Sequence, residues 1–132
     1  MDLSEISRYW TKNSREKGKT ARSLLRSKRY ADALFYCHLA LEAQLKAVVV
    51  LKIREFPPLT HNLLHLAYLA GLELSSRQIE ELKEITTFNI KTRYDDYKFS
   101  FYKKATKRYA QEYYNITQNL HLWIKKNIPL KK

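Results

Sequence analysis

The sequence predicts an all-α fold, an antiparallel up-and-down bundle of four to five helices forming one domain over residues 1–132. Three observations predict it. There are only two Gly and three Pro in 132 residues, which leaves little room for hairpins or long linkers. Apolar side chains recur at three- and four-residue steps, the period of a helix with one face turned inward. The stretch from Tyr30 to Arg54 holds neither Gly nor Pro and is apolar nearly all round, as a helix enclosed by other helices must be. A chain of this size buries roughly two-thirds of its unfolded surface, enough for one core without staples.

The first helix is expected from Asp2 to Arg29, with Asp2 or Ser4 as its cap. Leu3, Ile6 and Trp10 form one apolar stripe, and Ala21, Leu24 and Leu25 another. Thr11 to Thr20 holds no large apolar residue, so this part is expected to project past the core or bend at Gly18. Ser27-Lys28-Arg29 is a short link, which sets the first two helices antiparallel.

Tyr30–Arg54 is the expected central helix. Leu34, His38, Leu41, Leu45, Val48 and Lys52 mark one stripe, and alanines and valines cover much of the rest. Glu42, Lys46, Lys52 and Arg54 interrupt it, which argues against a membrane span. Phe56-Pro57-Pro58 ends it, because the residue before a proline avoids the helical region.

A short third helix is expected from Thr60, its candidate cap, to Gly71, its terminating glycine. Ser75 or Ser76 opens a short fourth helix through Ile79, Leu82 and Ile85. Thr86 to Ser100 is expected to be irregular or a short kinked helix, since β-branched residues, Asn89 and Asp95-Asp96 weaken helix there. Phe101 to Asn127 is the expected last helix, with Tyr102, Ala105, Tyr109, Tyr113, Ile116, Leu120 and Trp123 facing inward and Pro129 stopping it.

The net charge of +12 comes from 25 Lys and Arg against 13 Asp and Glu. Residues 1–29 carry nine basic and three acidic groups, and residues 98–132 carry nine and one. The outer helices are therefore basic and the middle is nearly balanced. Arg15, Lys19, Arg22, Arg26 and Arg29 share one helical face. That face is either a solvated stripe or a surface for nucleic acid or nucleotide phosphates. The single Cys37 lies in the apolar helix and is expected to be a buried, inert thiol. With no paired cysteines and no charged-then-apolar leader, the expected location is cytoplasmic.

No glycine-rich phosphate loop, metal-ligand cluster or HExxH pattern is present. No cofactor and no metal site are expected. His61 and His65 stand one helical turn apart but lack a third ligand nearby, and His38 is expected to be a satisfied core imidazole. The best site candidate is Lys91–Tyr97. Arg93 would fork onto phosphate or carboxylate, Tyr94 and Tyr97 would stack on a base, and Asp96 would orient Arg93. The alternative is structural, with Arg93 paired to a carboxylate such as Asp96 or Glu42 and the tyrosines packed.

Four segments together resemble the HEPN family, helical domains often found beside minimal nucleotidyltransferases. They are Tyr30–Phe35, His38–Ala47, Pro58–Leu63 followed by Leu69–Leu72, and Thr92–Asp96. The resemblance implies a helical bundle that pairs into a homodimer with a cleft between protomers. It also implies a nucleotide- or RNA-related role and a possible nucleotidyltransferase partner, in a toxin–antitoxin-like setting. Many HEPN ribonucleases carry Arg, four to six residues, then His in that cleft. No His follows Arg93 at that distance, and Pro57-Pro58 stands between Arg54 and His61, so the motif is taken as absent. The expected function is therefore a non-catalytic, nucleotide-binding module, with Arg93, Tyr94, Asp96 and Tyr97 at the ligand and Lys46 and His61 as supporting groups. The alternative is a metal-independent endoribonuclease toxin with a histidine such as His61 as base.

Overall fold

The computed structural model describes residues 2–93 and 95–128, with the backbone alone at Asp95 and Asp96. Among the described residues the regular structure is six helices: α1 (Leu3–Arg26), α2 (Tyr30–Ile53), α3 (Leu63–Leu69), α4 (Ser76–Arg93), α5 (Asp95–Lys104) and α6 (Lys107–Lys126). The all-α bundle is as predicted. The helix count is higher because the stretch 86–100, expected to be irregular or a short kinked helix, supplies the end of α4 and much of a separate α5.

Asp2 caps α1 through a reciprocal box. Its Oδ1 accepts from the Glu5 N–H at 2.8 Å, and Glu5 Oε1 accepts from the Asp2 N–H at 3.0 Å. Residues 11–20 neither project nor bend. The helix runs unbroken through Gly18 and lies along α2. Small residues make this possible. Ser7 Oγ donates to the Ala47 carbonyl at 2.9 Å, and Ser14 Oγ to the Ala40 carbonyl at 2.7 Å. A step of seven along α1 thus matches a step of seven backward along α2, which fixes an antiparallel register. Ala21 and Ala33 continue the series and are each 1% exposed.

Lys28 turns the chain with a left-handed φ of 65°. α2 then runs through the middle of the bundle. Leu34, Leu41, Leu45 and Val49 are fully buried in the main core. By length and composition α2 could cross a bilayer, yet 78% of its most apolar window lies buried inside this fold. It ends at Arg54, which adopts a left-handed φ of 61° and donates its N–H to the Val50 carbonyl at 2.9 Å.

α3 starts later than expected. Asn62, not Thr60, is the cap, its Oδ1 accepting from the N–H groups of Leu64 and His65. Thr60 Oγ1 instead accepts from the Asn62 N–H. α4 opens on Ser75, whose Oγ accepts from the Gln78 N–H while Gln78 Oε1 accepts from the Ser75 N–H. It then continues to Arg93, because Leu82, Ile85 and Phe88 bury against the core. The last predicted helix is split. α5 ends at Lys104, and Thr106 caps α6, its side chain accepting from the Tyr109 N–H at 3.2 Å. Tyr102 falls before this break and is 49% exposed, so it is not part of the inward stripe. Phe88, Phe101, Tyr109 and Tyr113 form an aromatic cluster joining α4, α5 and α6.

Candidate functional site

Two of the sequence-predicted site residues, Lys46 and His61, meet at a group that sequence reasoning did not place there. Glu42 projects from the middle of α2, and its side chain is 8% exposed. Lys46 Nζ donates to Glu42 Oε2 at 2.7 Å. His61 Nδ1 lies 3.0 Å from Glu42 Oε1, and His38 Nδ1 lies 3.6 Å from the same oxygen. Lys46 Nζ also sits over the Trp10 ring, 4.9 Å from its centroid. His38, Glu42 and Lys46 follow one another at four-residue steps, so α2 presents them as one row. A buried carboxylate needs compensation of this kind.

His38 is fully buried, and its Nε2 lies 2.8 Å from the His61 carbonyl oxygen. That contact requires a proton on Nε2. Burial holds the His38 pKa below its ordinary value, against a raising effect of the bond to the His61 carbonyl and of Glu42. In the neutral ring Nδ1 carries no proton, and it has no hydrogen-bond partner. The expectation of a satisfied core imidazole therefore holds at Nε2 and fails at Nδ1. His61 is tied at its backbone to His38 and at its ring to Glu42, yet its side chain is 58% exposed. It precedes α3, so the one-turn helical spacing to His65 is not realised. Cys37 is also fully buried, and burial pushes its thiol up to about 12.

The Arg93 segment lies at the junction of α4 and α5. Arg93 Nη1 donates to Asn89 Oδ1 at 2.9 Å, and Asn89 is 2% exposed. Tyr97 is 53% exposed on α5. Tyr94 and the side chain of Asp96 lie outside the described residues. Lys46 and His61 meet at Glu42 on α2 rather than in this segment.

A groove of about 860 Å³ opens between α1, α2 and α6. Its floor is aliphatic, with Ala47, Val48, Leu51, Ala70 and Ile128. Arg15, Lys52, Arg54 and Lys125 line it, and among the described residues no carboxylate does. His121 also lines it, its carbonyl accepting from Gln44 Nε2 at 3.0 Å. Burial and Lys125 hold the His121 ring below its ordinary pKa. The basic outer helices, read in the sequence as stripes, thus converge with the end of α2 on one concave surface. No single motif could have revealed that, because the four cations come from three separate parts of the chain.

Arg54 corrects one expectation. Six residues, 55–60, separate it from His61, so the Arg, four-to-six, His spacing is present. The fold, however, turns the two apart. Arg54 lines the groove beside Val48 and Leu51, whereas His61 faces Glu42. At about 100° per residue, Leu51 and Glu42 lie roughly half a turn apart around α2.

Comparison with known proteins fits this architecture. The chain is similar to a solved structure described as TT1696 from Thermus thermophilus, with a TM-score of 0.73 and 24% identity over 91% of this chain and 96% of that one. That likeness concerns the fold alone. No curated protein matches the chain. A model of the HEPN domain matches residues 7–128, which takes in α2, the Glu42 cluster and the groove, and the chain belongs to the HEPN domain family.

Proposed function

We propose that this HEPN protein is a binding module for a nucleotide-sized phosphate ligand, held in the groove between α1, α2 and α6. The carrying observation is four cationic side chains, Arg15, Lys52, Arg54 and Lys125, around an aliphatic floor without a carboxylate among the described residues. Its volume falls within the roughly 300–1,000 Å³ usual for small-ligand sites. Cations gathered over low-dielectric walls focus field on an anion. The floor takes the flat base and the rim takes the phosphates. The Arg93–Tyr97 segment is the competing location for the same ligand. The module works as a homodimer, in the cytoplasm, beside a nucleotidyltransferase partner.

Calorimetric titration with ATP, GTP and their monophosphates tests this reading. Saturable heat is expected for at least one of them. The pair Arg54→Ala with Lys125→Ala is expected to weaken it at least about tenfold, or about 1.4 kcal/mol. Loss on Arg93→Ala with no effect of the groove pair would move the site to the α4–α5 junction. Absence of heat with every nucleotide overturns the proposal.

One observation favours a second reading, a metal-independent ribonuclease. The His61 imidazole is exposed and oriented by a carboxylate, as suits a general base. Total RNA incubated with the protein in EDTA decides it. Intact RNA removes this reading, and cleavage lost on His61→Ala supports it.

A further inference from the structure

The cluster around Glu42 holds more than an ion pair requires. Lys46 alone, at 2.7 Å, compensates the Glu42 charge. His61 is a third member, fixed by two bonds yet open to solvent. When its ring is neutral, a proton on Nδ1 donates to Glu42, and Nε2 presents its lone pair outward. A carboxylate behind an imidazole fixes its tautomer and its ring orientation. The compensated carboxylate presents little net charge to repel an incoming anion. His38 Nδ1 faces the same oxygen but has no proton to give when neutral, so the Glu42 oxygen turned toward the two rings takes its hydrogen bond from His61. The ring is thereby held in one orientation at the surface, the arrangement of a nucleophile prepared for attack.

We propose that His61 is a phosphoryl-accepting histidine, its Nε2 taking a phosphoryl group from an N-phosphoryl donor of the phosphoramidate class. Phosphohistidine on another protein belongs to that class. In the step, the Nε2 lone pair forms the new N–P bond as the donor's P–N bond breaks. The donor enters protonated, on the amine nitrogen or on the far nitrogen of an imidazole, so the electron pair leaves with the donor nitrogen and the departing amine or imidazole is neutral. Nδ1 keeps its proton on the hydrogen bond to Glu42 throughout, so the phosphorylated ring is formed without a buried proton transfer. No oxidant, reductant or metal is needed. The proposal stands apart from the groove; it uses the His61 ring that the ribonuclease reading takes as its base, and labelling by a phosphoryl donor in the absence of RNA tells the two apart.

The experiment incubates the full chain with potassium phosphoramidate and maps acid-labile phosphate by mass spectrometry at alkaline pH, with ³¹P NMR to identify the nitrogen. His65 is the internal reference, since it is exposed four residues away. His61 is expected to label at least about tenfold faster than His65, the low end of what a carboxylate behind a histidine is worth. The label is expected on Nε2 and is expected to disappear in His61→Asn. Glu42→Gln is expected to bring His61 down to the His65 rate. Labelling of His61 no faster than His65 in the unmodified chain overturns the proposal, and that comparison requires no variant to fold. A folded Glu42→Gln protein that labels His61 at the original rate overturns it as well.

Discussion

Glu42 is the residue on which several others depend. It is a carboxylate inside an apolar helix, and its position is tolerable because Lys46 and His61 reach it. Removing one partner of a buried pair leaves a charge without compensation, at a cost of about 3–5 kcal/mol. Lys46→Met is therefore expected to lower unfolding free energy by roughly 3 kcal/mol in a denaturant titration, and Glu42→Leu added to it is expected to recover part of that loss. His38 supplies a pH dependence. Its folded pKa lies below the ordinary 6.5, first because of burial. The unfolded chain therefore takes up that proton first as pH falls. Stability from this group is full above about pH 6.5 and declines as pH drops toward the folded pKa. Unfolding measured from pH 7.5 to 5 is expected to show the decline, and His38→Gln is expected to flatten it. The sequence points to His38, Lys46 and His61 individually, but it attaches the last two to Arg93. The reason is physical. His61 is 19 residues from Glu42 along the chain, and a charge within an apolar run reads as an interruption until the loop after Pro58 is seen to fold back over it.

Helix boundaries and packing are legible at the next scale, though unequally. α2 is plain from composition, because burial on all sides requires apolar residues on all sides. The packing of α1 is not, because its contact row is Ser7, Ser14 and Ala21, which carry little hydrophobic signal. Their seven-residue spacing is the available clue. Ser14 is 4% exposed and its hydroxyl donates to the Ala40 carbonyl, so a larger side chain must displace that contact. Ser14→Leu is expected to cost about 1–3 kcal/mol by overpacking, whereas Ser14→Ala, which loses one hydrogen bond, is expected to cost about 1 kcal/mol. Thermal unfolding of the two variants separates these outcomes. α4 reads short in the sequence because Thr86, Thr87 and Asn89 disfavour helix. The fold absorbs them: Thr86 Oγ1 accepts from the Leu63 N–H, and Thr87 and Thr92 bond back to the carbonyls of Glu84 and Phe88. Burial of Ile85 and Phe88 then outweighs local propensity. Lys28 sits in a left-handed conformation that glycine adopts without strain. Lys28→Gly is expected to raise stability by about 0.5–1 kcal/mol, checked by the midpoint of unfolding.

At the scale of the whole molecule, two forces compete wherever copies meet. The chain carries a net charge of +12, and two such bodies repel. Yet Ile90, Tyr97, Phe99 and Tyr102, at the end of α4 and along α5, are each about half exposed or more. Lys103 Nζ lies 4.7 Å from the centre of the Phe99 ring, which shields this face in part. Removing such side chains from water favours association in proportion to apolar area, and the proposed dimer is expected to close over part of this α4–α5 region. Salt acts oppositely on the two proposed interactions. It screens the repulsion between protomers, since the Debye length falls from about 10 Å at 0.1 M to about 3 Å at 1 M, and so strengthens an apolar dimer. It also screens the cations of the groove and weakens nucleotide binding. Light scattering at micromolar protein is therefore expected to show more dimer at high salt, near 1 M, than at 0.1 M, while the nucleotide dissociation constant rises over the same range. Phe99→Asp adds an unpaired charge to the apolar face and is expected to yield monomer at both salt concentrations without changing nucleotide affinity. A monomer at every salt concentration in the unmodified chain would exclude the dimer, and a dimer that dissociates as salt rises would show that charge pairing, not the α4–α5 face, holds the copies together.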